Sequence, residues 1–372
     1  MFHTIITLAY IIPNIYVFIR VGHNFISKGH RLYYTVIYIL LALVYPVSNL
    51  FSEGYSGFLV SVLAVVANYI LPFYLYLFLF VLVYDIFLLF NILFKIVPSE
   101  KLEHTGFKVT GLTLILICSI AVVIAGVINF NTIRTTEYKI NIPARSSAIR
   151  HLKIAFVADF HLKKESDNHF VERFAEILKN INPDLMIFGG DIIEGDRDDE
   201  NLVMSEKVLS GIKAKYGVFA VLGNHEHYAG QDKGSFFDRA GMKVLCDSNI
   251  VLDNSFNLLG RNDSHIRTRK QISDLLKSVN EALPVILIDH RPTEIDQVSR
   301  TSVDIQLSGH THNGQLFPIN FITGRVYELS MGYRKIGNTH FFVTSGIRLW
   351  GPPVRTTGKS EIMVIEINFL NK

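Results

Sequence analysis

The sequence has little cysteine. Its 372 residues include two, Cys118 within an apolar run and Cys246 in a more polar region. These settings differ, so we do not expect the two to pair, and neither lies in a CxxC motif. A disulfide framework and a CxxC metal or redox site are therefore excluded, and the cysteine content leaves the cellular compartment open.

The sequence also has little net charge. It contains 36 Lys and Arg against 33 Asp and Glu, a formal net charge of +3. A nucleic-acid-binding domain typically carries a pronounced basic patch or a basic and aromatic motif, and we find neither here. We therefore expect no nucleic-acid partner.

Apolar residues, by contrast, are abundant and unevenly distributed. They make up 49% of the chain, and the mean hydropathy is +0.30. Residues 1–130 are almost continuously apolar, whereas the remainder has the composition of an ordinary soluble α/β domain. The N-terminal part contains four apolar blocks, at residues 4–19, 32–51, 57–94 and 109–130.

These blocks predict a bundle of about four transmembrane helices. A bilayer core requires about 20 apolar residues per helix, which suits the first, second and fourth blocks. The first block lacks the basic start and the cleavage site of a signal peptide. The third block is long for a single span. We interpret it as one kinked or protruding helix, with two spans joined at Pro72 as the alternative.

Basic residues predict the orientation of this bundle in the cell membrane. Lys and Arg cluster at residues 20–31 and 95–108, and four spans place both clusters on one side. Cytoplasmic loops are enriched in Lys and Arg, so the large C-terminal domain is expected outside the cytoplasm. Five spans would reverse this orientation. Asp85, a carboxylate within the third block, either serves a function, as intramembrane acids often do, or faces the helical bundle.

The rest of the chain predicts a second domain. Residues 131–150 are polar, contain Pro143 and are interpreted as a linker. From 151 to 372, strand and helix patterns alternate at first, and strands dominate the last third. This order favours an α/β fold in which two sheets stack with helices outside.

Several predicted strands of this domain end in metal-binding residue types. The apolar run 185–188 leads through Gly189 and Gly190 into Asp191. A glycine pair there permits a sharp turn and a close approach of other groups, and ligands gather at the carboxyl ends of strands in open α/β sheets. Four other strand ends behave alike, at residues 157–161, 222–226, 288–290 and 308–312.

The order of these fragments resembles the calcineurin-like metallophosphoesterase family. The residues that carry the resemblance are Asp159, His161, Gly190, Asp191, Gly223, Asn224, His225, Glu226, His290, Gly309, His310, Thr311 and His312. The resemblance covers residues about 150–368. Segments 309–315 and 336–340, together with the N-terminal spans, are similar to the membrane-associated bacterial branch. It implies a four-layer α/β/β/α sandwich after the transmembrane helices, with residues 151–372 as the catalytic domain.

The resemblance also implies a site for two divalent metal ions. Asp and His ligands together suit Mn, Fe or Zn. The residues implied for one ion are Asp159, His161 and His312. Those implied for the other are Asn224, His290 and His310. Asp191 is implied to bridge the two, and a metal-activated hydroxide to attack phosphorus in line.

Further roles follow from the same resemblance. His225 is implied to stabilise a phosphoryl oxygen and to protonate the leaving group, and Glu226 to hold a histidine ring in one tautomer. His227 and Arg355 are candidates for substrate binding, with ordinary structural roles equally open. Glu194 stands where purple acid phosphatases place a metal-binding tyrosine, so a tyrosinate–iron site is not supported.

The expected function is a membrane-anchored phosphoesterase that hydrolyses phosphate esters with two metal ions. A phosphomonoester, a phosphodiester and a pyrophosphate are all open as substrates, and a lipid or cell-envelope phosphate is attractive. The alternative is a non-catalytic transporter or scaffold that carries a metallophosphoesterase-like domain. The complete ligand set argues against that alternative, and the sequence says nothing of the oligomeric state.

Overall fold

The computed structural model describes residues 2–52, 57–163, 167–194, 200–228 and 234–371. The chain divides into two compact units. A helical unit comprises Met1–Ile128 and Gly351–Thr356, and a sandwich unit comprises Asn129–Trp350 and Thr357–Lys372.

The described residues of the N-terminal region form five α-helices. They are α1 (Phe2–Asn24), α2 (Arg31–Ser52), α3 (Phe58–Phe94), α4 (Ser99–Glu103) and α5 (Thr105–Asn131). Among the described residues, three helical stretches are long and apolar enough to cross a membrane: Lys28–Phe51, Phe58–Phe94 and Thr105–Asn131. Three of the four predicted spans are therefore matched by such helices, and the span expected at residues 4–19 stays a prediction.

The third apolar block forms one continuous helix. Helix α3 runs for 37 residues with Pro72 inside it, so the alternative of two spans joined at Pro72 is wrong. A proline is tolerated in such a helix where neighbouring helices and side chains satisfy the backbone group that it frees.

The polar residues of α1 hold Asp85 of α3. Arg20 donates from Nε to Oδ2 and from Nη2 to Oδ1 of Asp85, both at 2.7 Å. The Tyr16 hydroxyl donates to the same carboxylate at 2.5 Å, and the Asn24 amide donates at 3.2 Å. Asp85 thus faces the helical bundle, which was the second of the two alternatives that its sequence position left open. Arg20, counted above among the loop charges, lies inside α1 and is paired, which weakens the charge argument for orientation.

The sandwich unit contains two six-stranded sheets. The strands are β1 (Ile133–Pro143), β2 (His151–Val157), β3 (Leu185–Phe188), β4 (Val218–Ala220), β5 (Lys243–Val244), β6 (Ser248–Leu252), β7 (Phe256–Gly260), β8 (Val285–Ile288), β9 (Ile305–Ser308), β10 (Gly332–Ile336), β11 (Thr339–Val343) and β12 (Ser360–Leu370). One sheet has the order β1-β12-β2-β3-β4-β5, and the other has the order β10-β11-β9-β8-β7-β6.

The described residues of the sandwich unit also form helices. They are α6 (Asn168–Ile181), α7 (Glu200–Ser210), α8 (Asn224–Tyr228), α9 (Gly234–Arg239), α10 (Ile272–Leu276), α11 (Ile295–Ser299) and α12 (Asn320–Val326). A central core joins the inner faces of the sheets, for example Phe156 and Ile187 of the first to Leu258 and Ile288 of the second. Two outer cores pack α6 and α9 on the first sheet and α10 and α11 on the second. The predicted four-layer α/β/β/α sandwich is confirmed.

Two local predictions in this unit are wrong. Residues 131–150 are not simply a linker, because Ile133–Pro143 forms β1 and pairs in parallel with β12 along its whole length. Its alternate residues Ile140 and Ile142 are buried in the central core, as expected for a strand with one face inward. The second is a single helix that the sequence pattern predicts over residues 270–282, whereas helix α10 covers only Ile272–Leu276.

Candidate metal centre

The parallel strands bring the expected residues to one edge of the sandwich. Strand β2 pairs in parallel with β3, β3 with β4, and β8 with β9. The loops after these strands are tied together by main-chain hydrogen bonds. Asp159 N donates to Gly190 O at 2.9 Å, His161 N to Asp191 O at 3.0 Å, and Gly309 N to His290 O at 2.8 Å.

Many of the expected ligands adopt a left-handed backbone conformation. The φ angles are +59° for Asp159, +48° for His161, +53° for Asp191, +70° for His310 and +48° for His312. Residues other than glycine rarely adopt this conformation, although Asp and His do so more often than most. Such residues concentrate at functional sites, where the surrounding structure enforces the conformation. The strands thus end in turns that aim the side chains together.

A first cluster consists of Asp159, His161 and His312. Their candidate ligand atoms lie within 4.8 Å of one another. The Nε2 atoms of His161 and His312 are 3.2 Å apart, and they lie 3.9 and 3.7 Å from Asp159 Oδ1. Asp159 and His161 are buried, whereas His312 is half-buried. Three convergent donors of this kind could hold one divalent cation.

Asp191 belongs to two further clusters of the same compactness. One joins it to His290 and His310, and the other joins it to His161 and His225. Its Oδ2 lies 3.1 Å from His290 Nε2, and its Oδ1 accepts a hydrogen bond from the His225 main-chain N–H at 2.8 Å. Asp191 therefore lies between the first cluster and the pair His290–His310, the position that a bridging carboxylate requires.

Two buried polar atoms fit a metal ion. Asn224 Oδ1 is buried and has no hydrogen-bond partner in the described part of the chain. His290 Nδ1 lies 2.8 Å from the carbonyl oxygen of Gly189, and a histidine ligand commonly donates its second ring nitrogen in this way. That contact leaves His290 Nε2 directed towards Asp191. An amide oxygen and an imidazole nitrogen without protein donors are what a cation would satisfy.

Buried charges polarise the site strongly. Burial raises the pKa of Asp159 to about 6, with His290 opposing the shift. Burial also opposes the charge of Asp191, yet His290 and His161 outweigh it and hold the pKa of Asp191 well below its ordinary value. Against its own burial, His290 has its pKa raised to about 10 by Asp191. These carboxylates thus attract positive charge, which protons supply in the metal-free chain and divalent ions can replace.

Glu194 is a site residue that the sequence interpretation missed. Its Oε1 lies 2.5 Å from His161 Nδ1 and 3.0 Å from His225 Nδ1. Burial disfavours its charge, but the hydrogen bonds to both rings prevail and lower its pKa to about 2. The only sequence signal was a carboxylate three residues after Asp191. Glu194 therefore fixes the orientation of two histidines at once.

Glu226 has a different role from the one expected. Its carboxylate accepts hydrogen bonds from the main-chain N–H groups of Gly223, Asp191, Ile192 and Ile193, at 2.6–3.0 Å. The prediction that it holds a histidine ring is therefore wrong, because Glu194 makes that contact. Glu226 instead ties the turn after β3 to the turn after β4.

His225 lies at the opening of the site. Its side chain is 20% exposed, and its ring meets that of His161 edge-on with centroids 4.8 Å apart. Trp350, which is exposed, lies 6.4 Å away by ring centroids. A partly exposed imidazole above buried ligands can contact both a substrate and the groups beneath it.

The two candidate substrate contacts are placed differently. His227, in α8, is half-buried, and its Nε2 has no hydrogen-bond partner among the described residues. Arg355 is fully buried, and its main-chain N–H donates to Gly126 O at 3.0 Å within the helical unit. Full burial argues against direct contact between the Arg355 guanidinium and a substrate phosphate.

Arg291 is a basic residue beside the site that the sequence interpretation also missed. It follows His290 directly, its side chain is 21% exposed, and Asp263 accepts its Nε–H at 2.9 Å. Burial, His290 and Arg291 together lower the pKa of His310 to about 2. Arg291 thus places a fixed positive charge within electrostatic reach of His310.

Comparison with known proteins agrees with this geometry. Residues 152–314 match the model of the calcineurin-like phosphoesterase family. An uncharacterized metallophosphoesterase of Aquifex aeolicus is 30% identical over 58% of this chain and 85% of its own length. The chain belongs to the calcineurin-like phosphoesterase family.

Other relatives share parts of the chain. An uncharacterized metallophosphoesterase of Helicobacter pylori is 32% identical over 59% of this chain, which spans 60% of that protein. A Danio rerio protein is 26% identical over 71% of this chain and 64% of its own length, and is named transmembrane protein with metallophosphoesterase domain. The predicted family resemblance is confirmed, and relatives with transmembrane segments occur.

Proposed function

We propose that this chain is a membrane-anchored phosphoesterase that hydrolyses phosphate esters with two divalent metal ions. The observation that carries the proposal is the position of Asp191, which shares one cluster with His290 and His310 and another with His161 and His225. A carboxylate between two groups of ligands is the arrangement that a pair of cations requires.

The proposed ligands divide as the family resemblance implies. Asp159, His161 and His312 hold one ion. Asn224, His290 and His310 hold the other, and Asp191 serves both. Mn, Fe and Zn all suit this mixture of oxygen and nitrogen donors. Bound in this way, the ions would activate a water molecule and neutralise charge on the phosphoryl oxygens.

The remaining residues of the site orient the ligands and the substrate and supply a proton to the leaving group. Glu194 accepts from Nδ1 of His225, so proton transfer to a leaving oxygen would run through the other ring nitrogen. A positioned acid of this kind contributes typically ~10²–10⁴-fold to the rate. Arg291, held by Asp263, supplies positive charge for an incoming phosphate. Glu226 keeps the two ligand turns in register.

The first experiment is hydrolysis of an aryl phosphate by the full chain in detergent, with and without added Mn²⁺. We expect activity that chelation abolishes and Mn²⁺ restores, with Asp191→Asn as an inactive control. Wild-type activity that survives exhaustive chelation would overturn the two-metal proposal. A panel of a monoester, a diester and a pyrophosphate, each also in lipid form, then identifies the ester class.

The alternative, a non-catalytic transporter or scaffold, makes the opposite prediction. It requires metal to bind without hydrolysis of any member of that panel. The partly exposed position of His225 above the ligands favours the enzyme, because a purely structural metal site is closed by its ligands.

We further propose that the sandwich unit lies outside the cytoplasm. Lys139 offers a test, since its side chain is 72% exposed. Lys139→Cys, in a chain with Cys118→Ser and Cys246→Ser, should react in intact cells with a thiol reagent that cannot cross membranes. Labelling that occurs only after lysis would place the unit in the cytoplasm.

A further inference from the structure

The sandwich unit displays a run of exposed apolar side chains. They lie on α12 and on the loop before it, and we call residues 316–326 the apolar ridge. Its exposed members are Phe317 (46%), Ile319 (38%), Phe321 (62%), Ile322 (62%) and Val326 (68%). The rings of Phe317 and Phe321 pack edge to face at 5.7 Å. A contiguous exposed apolar patch of this kind marks a binding surface for protein or membrane.

The ridge follows directly in sequence after the loop that carries the proposed ligands His310 and His312. Gly314 has a φ of +71°, and a Cβ there would lie 2.6 Å from Asn320 N and from the carbonyl carbon of Ile319. The hydroxyl of Thr311, between His310 and His312, donates to Ser330 O at 2.5 Å. The start of α12 thus packs against the turn that contains His312. The segment that follows α12 returns to the same loop at Ser330, which contacts Thr311 next to His310.

A second contact joins the far end of the ridge to the site. The ring of Tyr327, the residue after α12, meets the ring of His310 edge-on at 6.1 Å. Both ends of the ridge therefore adjoin the loop that carries the proposed ligands His310 and His312. Whatever the ridge binds is held close to the candidate metal centre.

The charge around the ridge favours a lipid surface as its occupant. Arg325 is exposed within it, and the exposed Arg334 donates to the carbonyl oxygen of Glu328, two residues after its end, at 3.3 Å. Apolar side chains flanked by basic ones suit the boundary between anionic headgroups and acyl chains. Helix α12 has seven residues, about 10 Å of helix, which is too short to span a bilayer, so contact with lipid would be interfacial.

The same polypeptide also guarantees that a bilayer is near. Three of its described helical stretches are long and apolar enough to cross a membrane. A domain covalently joined to such helices meets lipid at high effective concentration, whereas a protein partner would have to be recruited.

We propose that the apolar ridge inserts into the surface of an anionic bilayer and so presents the metal centre to phosphate esters of membrane lipids. The insertion stands on the ridge alone, while the choice of lipid phosphates as substrates rests on the proposed function.

Depth-dependent quenching tests the insertion without any reference to activity. The full chain with Cys118→Ser and Cys246→Ser is labelled with an environment-sensitive dye at Ile322→Cys. It is then reconstituted in vesicles of phosphatidylcholine and phosphatidylglycerol that carry brominated acyl chains. We expect strong quenching and a blue shift at position 322. The matched control is Lys243→Cys, an exposed position on edge strand β5, where neither should occur.

Two outcomes would overturn the insertion. Equal quenching at positions 322 and 243 would show that the ridge does not enter lipid preferentially. A blue shift at 322 without quenching would show that protein, such as a second copy of the chain, covers the ridge.

Activity tests the substrate class. Phe321→Ser/Ile322→Ser should hydrolyse a soluble aryl phosphate like the wild type but lose about tenfold or more on a phosphate monoester lipid embedded in vesicles, because burial of these side chains in lipid is lost. Equal losses on both substrates would reject delivery by the ridge. A wild type inactive on every ester would refute the proposed function, and the quenching result would still decide the insertion.

Discussion

The helical unit holds a half-buried carboxylate and the sandwich unit holds buried ones, and the two units give them different partners. In the helical unit, Asp85 meets a matched set of donors: both arms of the Arg20 guanidinium, the Tyr16 hydroxyl and the Asn24 amide. In the sandwich unit, Asp159 and Asp191 face histidines, and the nearby oxygen of Asn224 has no donor among the described residues.

The difference separates a structural cluster from a functional one. A buried polar network whose members satisfy one another stabilises one packing arrangement and binds nothing more. A buried network with acceptors left over and charges in excess has a place for a cation. Asp85 is conspicuous in the sequence as an acid in an apolar run, yet neighbouring side chains satisfy its charge and its hydrogen-bonding capacity. The residues at the strand ends need a bound ligand to satisfy theirs.

The largest difference is expected when one aspartate in each unit is neutralised by substitution with asparagine. Asp191→Asn should release both metal ions and abolish phosphate ester hydrolysis, because a neutral amide cannot offset two dications. Asp85→Asn should keep the metal content of the wild type. Elemental analysis of both purified variants provides the measurement. Loss of both metal ions from Asp159→Asn but not from Asp191→Asn would assign the bridging role to Asp159 instead of Asp191.

His225→Ala should lower kcat by ~10²-fold or more while the metal content stays near that of the wild type. The reason is that His225 lies above the buried ligands and is held by Glu194. The grouping of His225 with His161 and Asp191 permits a rival role as a ligand. A variant that has lost one metal ion would establish that rival role.

Glu194→Gln should lower metal affinity or activity by about 10–100-fold, the range found when a partner of a metal-bound histidine is removed. The side chain keeps its size but loses the charge that both histidine rings contact. Metal titrations and the pH profile of kcat distinguish an effect on His161 from one on His225. Glu172→Gln, on the exposed face of α6, serves as the control and should change neither.

The smallest effect is expected in the helical unit. Arg20→Met leaves the half-buried Asp85 carboxylate with Tyr16 and Asn24 only, and should lower stability by about 1.5–3 kcal/mol, the contribution of hydrogen bonds to a charged group. Arg20→Met/Asp85→Leu should recover much of this loss, because removing both partners leaves no charge unpaired. Thermal unfolding in detergent is the measurement, and hydrolysis by both variants should match the wild type. A double variant less stable than the single one would show that Arg20 and Asp85 stabilise the helical unit beyond neutralising each other.

Local patterns were enough to predict the strand ends of the metal centre. Asp159, Asp191 and His290 each follow a buried strand, and parallel strands bring such ends to one edge. The family resemblance implied the full ligand set, and the structure groups six of its seven members, with Asn224 next to His225 in α8. Which residue contacts Glu194 could not be predicted, since its partner His161 lies 33 residues away.

The edge strand β1 shows the same limit in the fold. Its residues Ile140 and Ile142 alternate with polar ones, a pattern that indicates a strand, but Pro143 and the polar composition favoured a linker. What decides the matter is pairing with β12, which begins at Ser360 near the end of the chain. Pairing over such a separation depends on the remainder of the fold and leaves little trace in the local sequence.

The left-handed backbone at Asp159, His161, Asp191, His310 and His312 bears on how this site should be mapped by mutagenesis. Asp and His tolerate this conformation several-fold better than alanine does, so alanine at any of these positions would add a backbone cost of up to about 1 kcal/mol to the loss of the side chain, and the two losses could not be separated. An alanine scan would consequently rank these five above Asn224, which lies in helix α8, even if all contributed equally to binding. Asparagine tolerates the conformation, so an asparagine scan isolates the chemistry of each side chain from the geometry of its turn.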